Sequence, residues 1–599
     1  MIIAKDGKNF VSVQYDPGSN ETILFAVEEL KKYLTKITSA EFDKSGCKPA
    51  QGSIKLCVDP ELAKENLEKF CLSCKGQILN ITGATPRAVL YGVYEFLERL
   101  GCRWVYPFEE VVPTIKRLEV QPFTFSSQPV FPWRALFFSR ITPDKMALNY
   151  AIISWMAKNR VNMIHLHPGH YRDNFGKDYI DWENTCKRLL PEIRKRAIMV
   201  NMNIHHSFYF MPPEKYFAKH PEWYSLLFGT RAPSQICYSN KEAVRTYADN
   251  IVRYLRKHPE VDVIGLWPMD GVGFCHCTKC RPADTIFKAC MWVAEYLLKK
   301  GIKIPVEHLV YTNYSPIWPT EKMKAQKNVV FLVCRKGDYY KMWSYFAQNH
   351  KCVGIYQFDY DFADNYAWQG TAPHSPRDVE HAIREITVPY SLGSAPLLMD
   401  SDSWWRGCFT LYFYYRLLWY GARSVEPFLE DYCQTYYGRF ANDIKKVIKL
   451  IDSIYPTRYS EYKLKLQEMR GTMRKVDSIL SRVMKSARDS RLKEMIQKYC
   501  TYADFVRYQI ETKISIREAE EAINKKKPAL ALKWIQNAKQ SDQKALALSR
   551  KSKLTRDGVV DICYFNQWHN GPPEPCCYNR QTVYEQLEYR AHNLYEKPI

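Results

Sequence analysis

The chain has 599 residues, with 86 Lys and Arg against 64 Asp and Glu and a net charge of +22, length enough for roughly two to four domains with sizeable cores. No apolar run reaches the roughly 18 residues of a membrane span, so no spanning helix is expected. The charge would suit nucleic acid, an anionic surface or an acidic glycan. No RNP pattern, zinc-finger spacing or basic-aromatic helix accompanies it, and much of the lysine excess falls at 443–449 and 462–485, where a solvated basic face accounts for it.

The first residues, MIIAKDGKNF, show no basic stretch leading into a long apolar one. No signal peptide is therefore visible, and the chain reads as cytoplasmic or as an exported protein whose leader is absent. Nineteen cysteines, an odd and scattered set, point to a reducing compartment or to a processed protein with few bridges.

Residues 1–125 read as a small α/β domain. Apolar spacing predicts helices over 22–34 and 86–100, the second ending at Gly101, where a glycine C-cap belongs. Short β-rich runs predict strands at 53–58 and 78–81.

From 126 to 424, eight strand candidates alternate with helical stretches: 133–138, 162–167, 198–204, 261–267, 308–312, 329–333, 352–357 and 395–399. Eightfold alternation predicts a parallel (β/α)8 barrel of the TIM type. A doubly wound sheet usually carries a glycine-rich phosphate turn, and neither GxGxxG nor GxxxxGK[ST] occurs. Residues 425–599 are largely helix-favouring and predict a helical C-terminal domain with an irregular tail.

The centre of this pattern is VDVIGLWPMDGVGFCHCTKC, residues 261–280. A buried strand stops at Pro268, and Asp270-Gly271 forces a tight turn. An aspartate at the C-terminal lip of a barrel strand is where such folds keep their chemistry, although it can equally cap the next helix.

The other strand ends supply Arg134, His167, His205 and His206, then Tyr311, Asn313 and Tyr314. Arg335, Asp359, Asp361, Asp400, Asp402, Trp404 and Trp405 complete the set. Each has a bland reading as a core group or loop cap, but together they describe a polar cleft lined with rings, as suits a glycan. Carboxylates there fit glycoside hydrolysis, one protonating the leaving oxygen while a second group manages charge at the anomeric carbon. Asp270 is the leading acid/base or acetamido-orienting candidate, with Asp400, Asp402, Asp359 and Asp361 competing as its partner. No cofactor is called for. Cys275, Cys277 and Cys280, spaced C-x-C-x2-C, read first as a disulfide or packing thiols. The alternative is a shared zinc with His276 or a distant residue as fourth ligand.

Two resemblances add to this. The helices and strand of AVEELKKYLTKIT and RAVLYGVYEFLERLGCRWVYPFEEVVP resemble the domain preceding the barrel in α-glucuronidases and β-hexosaminidases. The Asp270-Gly271 box with its three cysteines is one of several stretches resembling the region catalogued as domain of unknown function 4838, which includes glycoside hydrolase family 163. The others are HPEWY (220–224), QICYSN (235–240), YTNY (311–314) and RLLW (416–419). The resemblance implies a barrel glycosidase. For characterised members it implies endo-β-N-acetylglucosaminidase action releasing a galactosyl-N-acetylglucosamine unit from complex N-glycans. Substrate-assisted hexosaminidases carry a tandem Asp-Glu at the fourth strand, where this chain has Asp270-Gly271. A uronide is the rival substrate, with Arg134, Arg335 or Arg406 on its carboxylate. A carbohydrate-binding protein without chemistry is the non-enzymatic rival.

Overall fold

The computed structural model describes residues 1–16, 18–42, 51–137, 146–166, 182–202, 205, 207–269, 273–310, 326–334, 353–357, 390–394, 404–454, 466–552 and 580–594. Two compact units divide the chain. The first holds Met1–Phe358, Arg384–Pro396 and Tyr414–Ala422, and the second Asp359–Ile383, Leu397–Phe413 and Arg423–Ile599.

The first unit opens with an α/β layer. Its sheet runs in the order Phe123–Ser127, Phe70–Lys75, Ile78–Gly83, Gly52–Val58, Val11–Gln14. Helix Glu21–Thr38 starts where the Asn20 side chain accepts from Ile23 N, and helix Pro86–Arg99 where Thr85 accepts from Ala88 N, each capping one of the orphan donors of a first turn. The apolar faces of both helices join the sheet in one core that includes Leu30, Leu34, Ile54, Leu72, Ile81, Tyr91 and Leu97. Gly92 permits the close approach, since a Cβ there would stand 2.9 Å from Ile81 Cγ2. Gly101 follows the second helix at φ +102°, as its expected capping role requires.

Behind this layer eight strands pair in parallel. They are Trp133–Phe137, Met163–Leu166, Met199–Met202, Val263–Gly265, Val306–Val310, Val329–Cys334, Val353–Gln357 and Tyr390–Ser394. The last pairs with the seventh through Gly354↔Tyr390 and returns to the first through Ala135↔Leu392, closing the curl. Helices Met146–Lys158, Trp182–Arg194, Lys241–Lys257 and Pro282–Lys299 follow the first four strands. The segments after the fifth, sixth and seventh lie outside the described residues, so the fold established here is mixed α/β with a curled parallel sheet. The eighth strand is a correction. The apolar run at 395–399 suggested it, but the paired residues are Tyr390–Ser394, because register is set by partners on both sides rather than by local hydrophobicity.

Buried ion pairs tie the α/β layer to the curled sheet. Glu68 accepts from Arg134 Nη2 at 2.6 Å and from Asn162 Nδ2 at 2.8 Å, and pairs with Arg87 at 3.1 Å. Arg160 Nη2 bridges Glu95 and Glu98 at 2.7 and 2.8 Å, and Arg416 Nη1 joins Glu98 at 2.9 Å. Burial alone would raise the Glu98 carboxyl, but Arg160 and Arg416 hold it down at about 2.

In the second unit the helices Glu426–Tyr437, Ala441–Ile454, Leu466–Ser486, Ser490–Asn524 and Pro528–Ser552 each pack on the next. Helix Arg580–His592, from the tail, closes a core of Ala519, Ile523, Ile535, Tyr584, Leu587 and Ala591. No helix among the described residues is long and apolar enough to cross a membrane.

Candidate active site

The exit of the fourth strand is held from several directions. Ser207 Oγ donates to Trp267 O at 3.0 Å, and His205 Nδ1 lies 2.6 Å from Pro268 O. Gln235 closes a two-point clamp on Met269, its Nε2 donating to Met269 O at 2.7 Å and its Oε1 accepting from Met269 N at 3.1 Å. On the far side of positions 270–272, Ser234 Oγ donates to Gly273 O at 2.8 Å. Gly273 stands at φ +88°, and a Cβ there would fall 2.8 Å from Ser234 Cβ, so only glycine fits. Both ends of the segment that carries Asp270 are thus fixed by side chains from the stretch between the third and fourth strands.

His205 itself holds a positive φ of 50°, a conformation that a non-glycine residue keeps only when its surroundings demand it. A carbonyl can only accept, so its bond to Pro268 puts a proton on Nδ1. The imidazole meets Trp267 edge-on, centroids 5.5 Å apart.

Inside the curl, beneath that exit, lies a polar cluster. Asn201 Nδ2 reaches Glu307 Oε2 and His165 Nε2, both at 2.9 Å, while Glu307 Oε1 accepts from Trp267 Nε1 at 3.2 Å. His165 Nε2 is 3.4 Å from Glu307 Oε2. His165, Asn201 and Glu307 have no solvent exposure. Buried polar groups persist when they satisfy one another, and this set joins three strands to the tryptophan of the fourth-strand exit. Glu307 was not singled out by sequence. Its signal was a carboxylate inside the apolar strand VEHLV, explicable only by partners far away in the chain.

Arg134 is a correction. Expected among the substrate-binding side chains, it lies near the N-terminal end of its strand, completely buried. Its donors go to Glu68, to Arg160 O at 2.7 Å and to Phe131 O at 2.6 Å. Of the remaining candidates, His205 stands at the strand exits. Trp404 and Trp405 open helix Trp404–Tyr420, with their side chains outside the described set. Asp270, His167, His206, Tyr311, Asn313, Tyr314, Arg335, Asp359, Asp361, Asp400 and Asp402 lie outside the described residues.

The three cysteines after Asp270 come together with a fourth. Cys237, at the end of the hairpin Tyr224–Leu227 and Thr230–Ile236, places its sulfur 3.5 Å from Cys275, 3.9 Å from Cys277 and 3.8 Å from Cys280. These separations are far above the ~2.05 Å of a disulfide bond. Hydrogen bonds from Cys275 and Cys280 draw the Cys237 thiol well below its ordinary range. Sequence spacing could not supply this partner, 38 residues before Cys275, although Cys237 sits in one of the stretches that carried the family resemblance.

The overall fold is similar to that of a solved structure. A GH138 enzyme described as targeting the pectin rhamnogalacturonan II superposes with a TM-score of 0.61 at 14% identity, over 98% of this chain and 99% of that one. The two chains therefore share a fold. Residues 104–351 match the family model described as "Domain of unknown function (DUF4838)". Fainter likenesses reach CpGH84D, with a TM-score of 0.49 at 11% identity over 99% of this chain and 97% of that one. A GH20 exo-β-N-acetylglucosaminidase from Vibrio harveyi gives 0.44 at 10% identity, over 72% and 75%. No curated protein matches the sequence.

Proposed function

We propose that the chain is a (β/α)8 glycoside hydrolase acting on glycans that contain β-linked N-acetylglucosamine, with Asp270 as acid/base or acetamido-orienting residue. The observation that carries this reading is the clamped exit of the fourth strand. His205, Ser207, Ser234 and Gln235 fix the backbone on both sides of Asp270, the preorganisation that a proton-transfer group needs. The fold shared with a GH138 enzyme and the match over residues 104–351 support the class. The resemblance to glycoside hydrolase family 163 supports the finer substrate, a complex N-glycan cut to release galactosyl-N-acetylglucosamine. Asp400, Asp402, Asp359 and Asp361 are the candidates for the second group. Tyr311, Asn313, Tyr314, Trp404 and Trp405 would furnish sugar contacts, with His167, His206 and Arg335.

The test is incubation with a desialylated biantennary N-glycan, products read by mass, beside rhamnogalacturonan II fragments and a uronide. A released hexose-N-acetylhexosamine, lost in Asp270→Asn while glycan binding persists, supports the reading. Product from the pectic or uronide substrate alone overturns the substrate. Binding without turnover of any of them overturns the enzyme.

A further inference from the structure

We propose that Cys237, Cys275, Cys277 and Cys280 form a structural zinc site that locks the hairpin Tyr224–Ile236 to the segment following Asp270. All four sulfurs lie within 4.8 Å of one another. A tetrahedral zinc with Zn–S bonds of about 2.3 Å spaces its sulfurs by about 3.8 Å, and Cys237 stands 3.5, 3.9 and 3.8 Å from the other three. The ligands come from two separate stretches that no ladder pairing joins directly. Four thiols brought together at these spacings without bonding have little reason to converge unless a cation sits among them.

The surroundings suit thiolates. Leu226 N points at Cys275 Sγ from 3.3 Å, and Arg231 Nη1 stands 3.9 Å from the same sulfur while it donates to Tyr224 O at 2.7 Å. Ser239 Oγ lies 3.3, 3.4 and 3.1 Å from Cys237, Cys277 and Cys280. An N–H donor, a cation and a hydroxyl around the sulfurs are the outer contacts that orient metal-bound thiolates and temper their charge. On binding, four thiols release four protons to solvent and the centre carries a net charge of −2, which Arg231 partly offsets. Four protein ligands leave no open position, so the metal is structural. Soft sulfur donors at tetrahedral spacing select zinc among common divalent ions.

The position gives the metal a purpose. Ser234, which holds Gly273, and Gln235, which holds Met269, lie three and two residues before the ligand Cys237. The zinc would therefore anchor the same clamp that fixes the fourth-strand exit, whatever substrate that exit serves.

The test is the metal content of the full chain, purified under reducing conditions, after incubation with Zn2+ and removal of loosely held ions. About one zinc per chain is expected. Exchange into Co2+ should give the thiolate-to-cobalt absorption and the visible bands of a tetrahedral centre. Cys237→Ser and Cys277→Ser should each cut both signals at least about tenfold, while Cys57→Ser, at an exposed thiol, leaves them unchanged. The wild-type readings stand even if a ligand variant does not fold. Folded wild-type protein without zinc overturns the proposal, as does iron in its place or an intact mass two hydrogens short for each disulfide formed. Glycan turnover enters none of these measurements, so failure of the zinc site and failure of the glycosidase reading are distinguishable.

Discussion

Arg134 on the first strand of the curled sheet donates to Glu68 of the N-terminal layer at 2.6 Å, with neither side chain meaningfully exposed. Removing one partner of a buried pair costs about 3–5 kcal/mol when the other charge is left alone. Arg87 stays with Glu68 at 3.1 Å, which places the loss at or below the low end of that range. Arg134→Ala is therefore expected to lower unfolding stability by that amount in urea, without a specific effect on KM. A raised KM with stability intact would return Arg134 to the role in substrate binding that its position in the sequence first suggested.

Acid should loosen the same junction through Glu98. Its folded value is about 2, below the ordinary 4.5. A depressed carboxylate contributes stability that is fully present above its unfolded value and is lost as pH falls through the folded one. The window is thus pH 4.5 down to about 2, and at 1.36 kcal/mol per unit the loss is on the order of 3 kcal/mol. Chemical unfolding at pH 6, 4 and 3 measures it, and Glu98→Gln should start lower at pH 6 and show a flatter fall.

Glu307→Gln tests the buried cluster. The two carboxylate oxygens serve different donors, Asn201 Nδ2 and Trp267 Nε1, and an amide offers only one oxygen. One donor is left unmatched, so a loss of about 1–3 kcal/mol is expected. Tryptophan fluorescence followed through thermal unfolding reads the stability. An unchanged melting temperature would mean that the cluster rearranges freely.

Gln235→Leu separates positioning from binding. The Met269 clamp is lost while most of the side-chain volume remains. A misplacement of about 1 Å at a reacting group can cost about 100-fold, so kcat on the productive glycan should fall by roughly 10- to 100-fold with KM changed little. An equal fall in kcat/KM through KM alone would show that Gln235 acts on binding.

Seven of the eight parallel strands were legible because each is a β-rich apolar run flanked by turn residues. Strand eight was misplaced for the converse reason. YSLGS at 390–394 is short and half polar, and it is chosen by partners 36 and 257 residues earlier, Gly354 opposite Tyr390 and Ala135 opposite Leu392. Strand Phe70–Lys75 was passed over for its two cysteines and its serine. At the site, the strand entering residues 261–280 was legible from its apolar run and the proline that stops it. The clamp from His205, Ser207, Ser234 and Gln235 was not, since each residue is separately ordinary and only folding brings it to the same few backbone atoms. Arg134 misled because an arginine in a strand says nothing about which end of the curl its side chain serves.

The ion pairs beneath the curled sheet bear on how the protein can be handled. A cut near residue 125, where composition changes, would look like a natural place to isolate the curled sheet. It would strip Arg134, Arg160 and Arg416 of Glu68, Glu95 and Glu98 at once and leave three guanidinium groups without those carboxylates. The N-terminal layer is in this sense the foundation of the sheet above it, and the two stretches are best expressed, shortened or recombined together.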